Sequence, residues 1–224
     1  MLFIPERFAS WPQADGTRLA QQLRFGLLAS VLDGELQFSH LPLLVDVQDE
    51  RIVRLRGHFA RQNPHWQALA RDPRATIVFN GPNAYISAQW FSPECEAAPS
   101  WNYVVVHVSG KVRLLDTPEE TGAIIDELVT VNEAELPRQW QLSNYNPARR
   151  ARLLPHILGF ALDVEKVEHK FKLNQHYADA DKLGTVHGLE SRGTDAARAI
   201  AAYMRASIGQ ADTLGADVTQ HLEK

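Results

Sequence analysis

The chain has 224 residues, enough for one large domain or two small ones, and its 45% hydrophobic content supports a sizeable core. Its 23 Lys and Arg are outnumbered by 27 Asp and Glu, giving a formal net charge of −4, which excludes a surface coated in basic charge for nucleic acid but leaves room for a local basic patch. Cys95 is the only cysteine, which excludes an intrachain disulfide and a cysteine-built metal cage; no apolar run is long enough to span a bilayer, and the expected location is the cytoplasm.

In chain order, residues 1–14 read as an irregular lead-in with apolar anchors Phe3, Ile4, Phe8 and Trp11, followed by a short helix over 15–22. The apolar run 25–32 predicts a buried strand. Asp33-Gly34 is a hairpin turn pair, and Glu35 to His40 alternates as the return strand. Pro42 predicts a bend, a bulge or an edge there, and extended structure resumes over 43–47. The alternating Arg51-Ile52-Val53-Arg54-Leu55-Arg56 is the next strand.

Gly57-His58-Phe59-Ala60-Arg61-Gln62-Asn63-Pro64-His65-Trp66 then reads as strand end, loop and helix start. Asn63 suits an N-cap and Pro64 the first helical turn. Two readings stay open. One is a capped surface helix among ordinary basic residues. The other is a phosphate berth, with free helix N–H groups and donors from Arg56, His58, Arg61 and His65.

Beyond it, 74–79 and 84–90 read as two strands separated by an Asn80-Gly81-Pro82-Asn83 turn. Residues 91–100 read as a loop leading to Trp101-Asn102-Tyr103. The strand 104–115 carries Gly110 at a predicted bulge or bend. Thr117 with Glu120 predicts a capped helix to about residue 131. Strand 157–164, a basic-apolar alternation over 170–173 and a helix over 195–206 follow, and the polar segment from about Ile208 reads as loose. About seven hairpin-spaced strands with a few inserted helices predict a mainly β fold, a barrel with peripheral α-helices.

Four landmarks stand in order: Ser39-His40-Leu41-Pro42; Gly57-His58-Phe59-Ala60 with Asn63-Pro64-His65-Trp66; Gly81-Pro82-Asn83-Ala84-Tyr85-Ile86-Ser87 with Trp90; and Trp101-Asn102-Tyr103 with His107. With Phe3-Ile4-Pro5 and Lys172-Leu173-Asn174-Gln175, this set resembles the PaiB-type family of FMN-binding negative transcriptional regulators of protease production and sporulation. The resemblance implies an FMN-binding split barrel, similar to pyridoxamine-phosphate oxidases, over residues 1–177, with a helical extension over 178–224. It implies a homodimer with FMN at the subunit interface. It implies cofactor contacts from Ser39, His40 and Leu41 along one strand, from His58, Phe59, Asn63 and His65 at the phosphate, and from Trp101, Asn102, Lys172 and Gln175. The chain departs from the family pattern at Asn83, where a His is usual, and over Asn174-Gln175-His176, where Ser-Gln-Asn is usual.

Against these readings stand simpler ones. His40, His58, His65 and His107 lack the spacing of a metal motif, so no metal is expected. Trp90, Trp101 and Tyr103 could stack on a planar ring or pack in a core. Lys170 and Lys172 could meet a phosphate or form a solvated strand face. Direct DNA binding would rest on Arg149, Arg150 and Arg152, with Arg198 and Arg205, and no helix-turn-helix is readable. A flavin-dependent oxidoreductase acting on a small molecule is the alternative function.

Overall fold

The computed structural model describes residues 1–9 and 11–208. The segment from 209 on, expected to be loose, lies outside the described residues. Six strands are present among those described: β1 (Phe25–Leu32), β2 (Glu35–Gln48), β3 (Arg51–Ala60), β4 (Arg74–Ile86), β5 (Ser100–Leu115) and β6 (Ile157–Lys172). They close into a barrel in the order β1-β2-β3-β6-β5-β4. The helices are α1 (Gln13–Leu23), α2 (His65–Arg71), α3 (Pro118–Glu133), α4 (Pro147–Leu153), α5 (Asp179–Arg192) and α6 (Asp195–Ser207). This is the mainly β barrel with peripheral helices that the strand spacing predicts. The chain forms two compact units, the first from residues 1–2, 12–80 and 105–169, the second from 3–11, 81–104 and 170 onward.

In the first unit, Asp33 and Gly34 both take positive φ (52° and 85°), the twist a two-residue hairpin turn demands, and β1 pairs with β2 from Leu32↔Glu35 to Phe25↔Pro42. Pro42 does not break β2. The irregularity falls later, between Asp46 and Val47, while Pro42 ends the β1 register, where a missing N–H disrupts least. The barrel lumen is filled by Leu28, Leu43, Leu55, Phe59, Ile77 and Phe160, all fully buried, with the Phe59 and Phe160 rings 4.9 Å apart. On the outer wall, α3 lays Ile124 and Leu128 over Leu44, Leu115 and Ala161. Thr117 caps α3, its Oγ accepting from Glu120 N at 3.2 Å.

Two strands run further than the sequence predicts. The Asn80-Gly81-Pro82-Asn83 segment is not a turn but extended backbone inside β4, and β6 runs on to Lys172, absorbing the 170–173 alternation. Turn-forming residues stay extended when strands pair along them, and this reduces the expected seven strands to six.

In the second unit, α5 was not readable because Gly184 and Gly188 lower helix propensity. Both glycines face Trp90: a Cβ at Gly188 would collide with its indole, and one at Gly184 with its carbonyl. Trp90 is therefore a packing residue. α5 and α6 lie against each other, joined by Arg205 donating to Glu190 at 2.9 Å through both Nε and Nη2.

Gly110 is a site of close approach. A Cβ there would overlap the Asp163 carbonyl oxygen of β6 and press on Leu162. Gly110→Ala should cost about 1–3 kcal/mol, towards the upper end because backbone must yield. A lowered urea midpoint at unchanged slope is the expected readout.

Candidate functional site

In the first unit the landmark residues converge on His65. α2 begins where Asn63 Oδ1 accepts the His65 N–H at 3.0 Å, so Asn63 is the cap the sequence indicates. That bond turns the His65 ring into the barrel end, where it is 2% exposed. Its Nε2 lies 2.9 Å from Ser30 Oγ of β1 and its Nδ1 2.8 Å from Ser39 Oγ of β2. Asn63 Nδ2 also donates to Ser39 Oγ, at 2.9 Å. With one donor already on Ser39, we direct the Ser39 hydroxyl to Nδ1, which leaves Nε2–H to donate to Ser30. The relay Asn63 to Ser39 to His65 to Ser30 satisfies a neutral imidazole fully. Burial holds the His65 pKa below the usual histidine range.

This brace pins the strand segment Ser39-His40-Leu41. Ser39 and Leu41 face inward and are buried, while His40 is exposed, its ring near-parallel to Phe25 at 6.3 Å. Phe59 packs 5.9 Å from His65. His58, opposite Gly159 of β6, keeps a buried Nδ1 with no hydrogen-bond partner, and burial lowers its pKa. His107, on β5, is also lowered, chiefly by burial.

The structure thus brings Ser39, Phe59, Asn63 and His65 together, with Ser30 as a fifth member that sequence reasoning missed. The alternation of β1, which puts Ser30 on the buried face beside Leu28, was the available signal. Two basic donors go elsewhere. Arg56 is held between Glu127 of α3 and Asp46 of β2, with contacts of 2.6–2.9 Å, and these hydrogen bonds raise its pKa further. Arg61 pairs with Asp116 at 2.5 Å and donates to the Pro155 carbonyl.

The remaining predicted residues belong to the second unit. Trp101 is exposed, with Tyr85 edge-on at 6.1 Å. Asn102 is fully buried, its Nδ2 directed to Met204 Sδ at 3.3 Å. Lys172 Nζ donates to Ser100 Oγ and, at 2.8 Å, to the Trp101 carbonyl. Gln175 clamps the turn at Asn174, accepting from Leu173 N at 2.8 Å and donating to the Phe171 carbonyl. Lys170 is buried, donating to the Phe3 carbonyl at 3.0 Å among the rings of Phe3, Phe8 and Tyr103.

A closed six-stranded barrel of this topology with peripheral helices is of the split-barrel class. The chain belongs to the family described as "Putative FMN-binding domain", which matches residues 2–166, and FMN is its cofactor. It is 28% identical over 211 residues to protease synthase and sporulation protein PAI 2 of Bacillus subtilis, covering 91% of this chain and 96% of that one. An uncharacterized protein of Emericella nidulans is 28% identical over 218 residues, covering 80% and 87%. Among solved structures, the flavocytochrome Anf3 from Azotobacter vinelandii superposes with a TM-score of 0.53 at 11% identity, covering 70% of this chain and 66% of that one. The FAD and heme binding protein from Mycobacterium smegmatis does so at 0.51 and 18%, covering 79% and 78%. Likeness at that identity speaks for the fold alone. Among the described residues, no helix is long and apolar enough to cross a membrane.

The brace makes stability depend on pH. The native state keeps His65 neutral below the pH at which the unfolded chain takes up a proton, near 6.5. The unfolded state therefore binds more protons, and stability is full above about 6.5 and falls as pH drops towards the lowered native value. His58 and His107 act in the same direction. His65→Gln should flatten the decline in unfolding free energy between about pH 7 and 5. His65→Ala should cost about 2–5 kcal/mol, because it strands two buried hydroxyls and opens a cavity.

Proposed function

We propose that the protein is an FMN-binding homodimer with a regulatory role of the kind its family resemblance names. The observation that carries this reading is the outward face of the β1–β2 hairpin. Phe25, Val31, Leu36 and Phe38 are each more than half exposed, on the opposite side of the strands from the His65 brace. Scattered exposed hydrophobics are ordinary, but four on one hairpin face make a patch that calls for a partner. A second copy of the same hairpin is the natural one, since a two-fold axis lets one patch cover itself.

The residues present fit the cofactor. The patch offers an apolar surface for a flat ring beside the exposed His40, and the buried, unpartnered His58 Nδ1 is a polar atom in want of a ligand. We assign Ser39, His40 and Leu41 to the flavin along β2 and His58 to a polar contact. Phe59, Asn63 and His65 hold that strand from behind. When bound, FMN supplies electron-transfer chemistry, and the protein's part is to bind and orient it. PAI 2 carries protease synthase and sporulation in its name, which supports a regulatory reading over a metabolic one.

Two measurements test this. The purified protein should bind FMN with a change in flavin absorbance, and FMN at about 100 times its Kd should raise unfolding free energy by about 2.7 kcal/mol. A chain that takes up no FMN contradicts the reading. Light scattering should give twice the 25.1 kDa chain mass, and Phe38→Glu should yield a folded monomer by placing a charge in the covered patch. A wild-type monomer at micromolar concentration removes the dimer.

A further inference from the structure

The second unit contains a cavity of about 260 Å³ that the flavin assignment does not use. Its polar lining comes from Arg7, Ser100, Lys172, Asn174, His176 and Tyr177, and Phe91 with Ala98 and Pro99 supplies the apolar part. Three of these side chains are basic. Among the described residues, no ion pair involves Arg7, Lys172 or His176, although fourteen such pairs form elsewhere.

The charges repel one another. Burial first, and then Lys170 and Arg7, push the Lys172 pKa below its usual value. Burial, Arg7 and Lys172 do the same to His176. No carboxylate acts on either group. Lys172 spends two of its three N–H donors on Ser100 and Trp101, which holds the ammonium in place and leaves one donor over.

The independent observation is Asn174. It sits at φ 64°, a left-handed conformation that Asn tolerates, and is 3% exposed. Tyr177 N donates to its carbonyl at 3.1 Å, and Gln175 staples the turn on both sides. Asn174 is one of the residues that line the cavity, and its side-chain Nδ2 is buried and has no acceptor. A buried amide donor left unpaired costs about 1–3 kcal/mol, so it marks a position awaiting an acceptor.

We propose that this cavity binds a small organic carboxylate. An acceptor-only group would pair with the guanidinium, the spare Lys172 donor and the Asn174 amide, relieving the repulsion among the basic groups. The Phe91 ring, tilted against Tyr177 at 4.8 Å, and the Ala98-Pro99 wall would enclose a short apolar body. The volume is below the ~300–1,000 Å³ of sites for drug-sized ligands, so the ligand is a compact acid. The assignment rests on the second unit alone and does not require the flavin assignment.

The test is calorimetric titration of sodium benzoate, and separately sodium phosphate, into the full-length FMN-loaded protein at constant ionic strength. Benzoate should bind saturably and more tightly than inorganic phosphate. Asn174→Asp keeps a residue that accepts positive φ while replacing the donor with a like charge, and it should weaken benzoate by about tenfold or more. Arg7→Gln, at an exposed side chain, should weaken it similarly, and both variants should retain flavin. Absent saturation, phosphate binding equal to benzoate, or unchanged affinity in both variants overturns the proposal. So does competition between benzoate and FMN, which would make the cavity the cofactor's own seat. If the protein holds no flavin, the titration is made on the protein as purified, and saturable, variant-sensitive benzoate binding then sustains this site while the flavin reading falls.

Discussion

A neutral imidazole buried at the end of a barrel is the constraint on which the β2–α2 corner depends. His65 could not be removed from water without partners for both ring nitrogens, and Ser30 and Ser39 are those partners. Because the serines come from adjacent strands and Asn63 both caps α2 and donates to Ser39, one ring fixes β1, β2 and the helix together. Ser39 facing inward obliges His40 to face outward, since strand side chains alternate. The outward face of β2 at His40 is thus set by a hydrogen-bond relay on the opposite side of the same strand.

The lumen of the barrel is filled by side chains. In a barrel this narrow, side chains occupy the interior, and Phe59, Phe79 and Phe160 with the aliphatic residues around them do so. Gly57 is there because a Cβ would press on the Phe160 ring. Around the filled lumen lies the outer wall. α3 covers part of it through Ile124 and Leu128, with Glu127 and Asp46 neutralising Arg56. The β1–β2 hairpin keeps Phe25, Val31, Leu36 and Phe38 exposed on its outward face.

The second unit handles charge differently. Lys170 is sheltered by aromatic rings and a carbonyl, whereas Arg7, Lys172 and His176 share one cavity with no acid to balance them. Other basic groups among the described residues, such as Arg56, Arg150 and Arg205, are matched to carboxylates. An unmatched group is costly to assemble, and a bound anion would repay that cost.

Much of the fold was legible because local chemistry and tertiary demand agreed. Asp33-Gly34 could hardly be other than a tight turn, Thr117 with Glu120 opens a helix wherever it occurs, and the ordered landmarks indicated the family. Asn63 was readable as a cap, but a cap does not announce what its free amide will do, and the side chain of His65 could as well have faced water. The misses have a common cause. Gly81 and Pro82 look like a turn until neighbouring strands pair along them, and Gly184 with Gly188 look like helix breakers until Trp90 fills the space they leave. The sequence alone determined most of the extended segments and the capped start of α3, since these follow from periodicity and short-range backbone chemistry, and its ordered motifs carried the resemblance to the family. The tertiary structure decided where each polar group spends its hydrogen bonds, because donors and acceptors as far apart in the chain as Ser30 and His65, or Ser100 and Lys172, become neighbours only when the chain is packed.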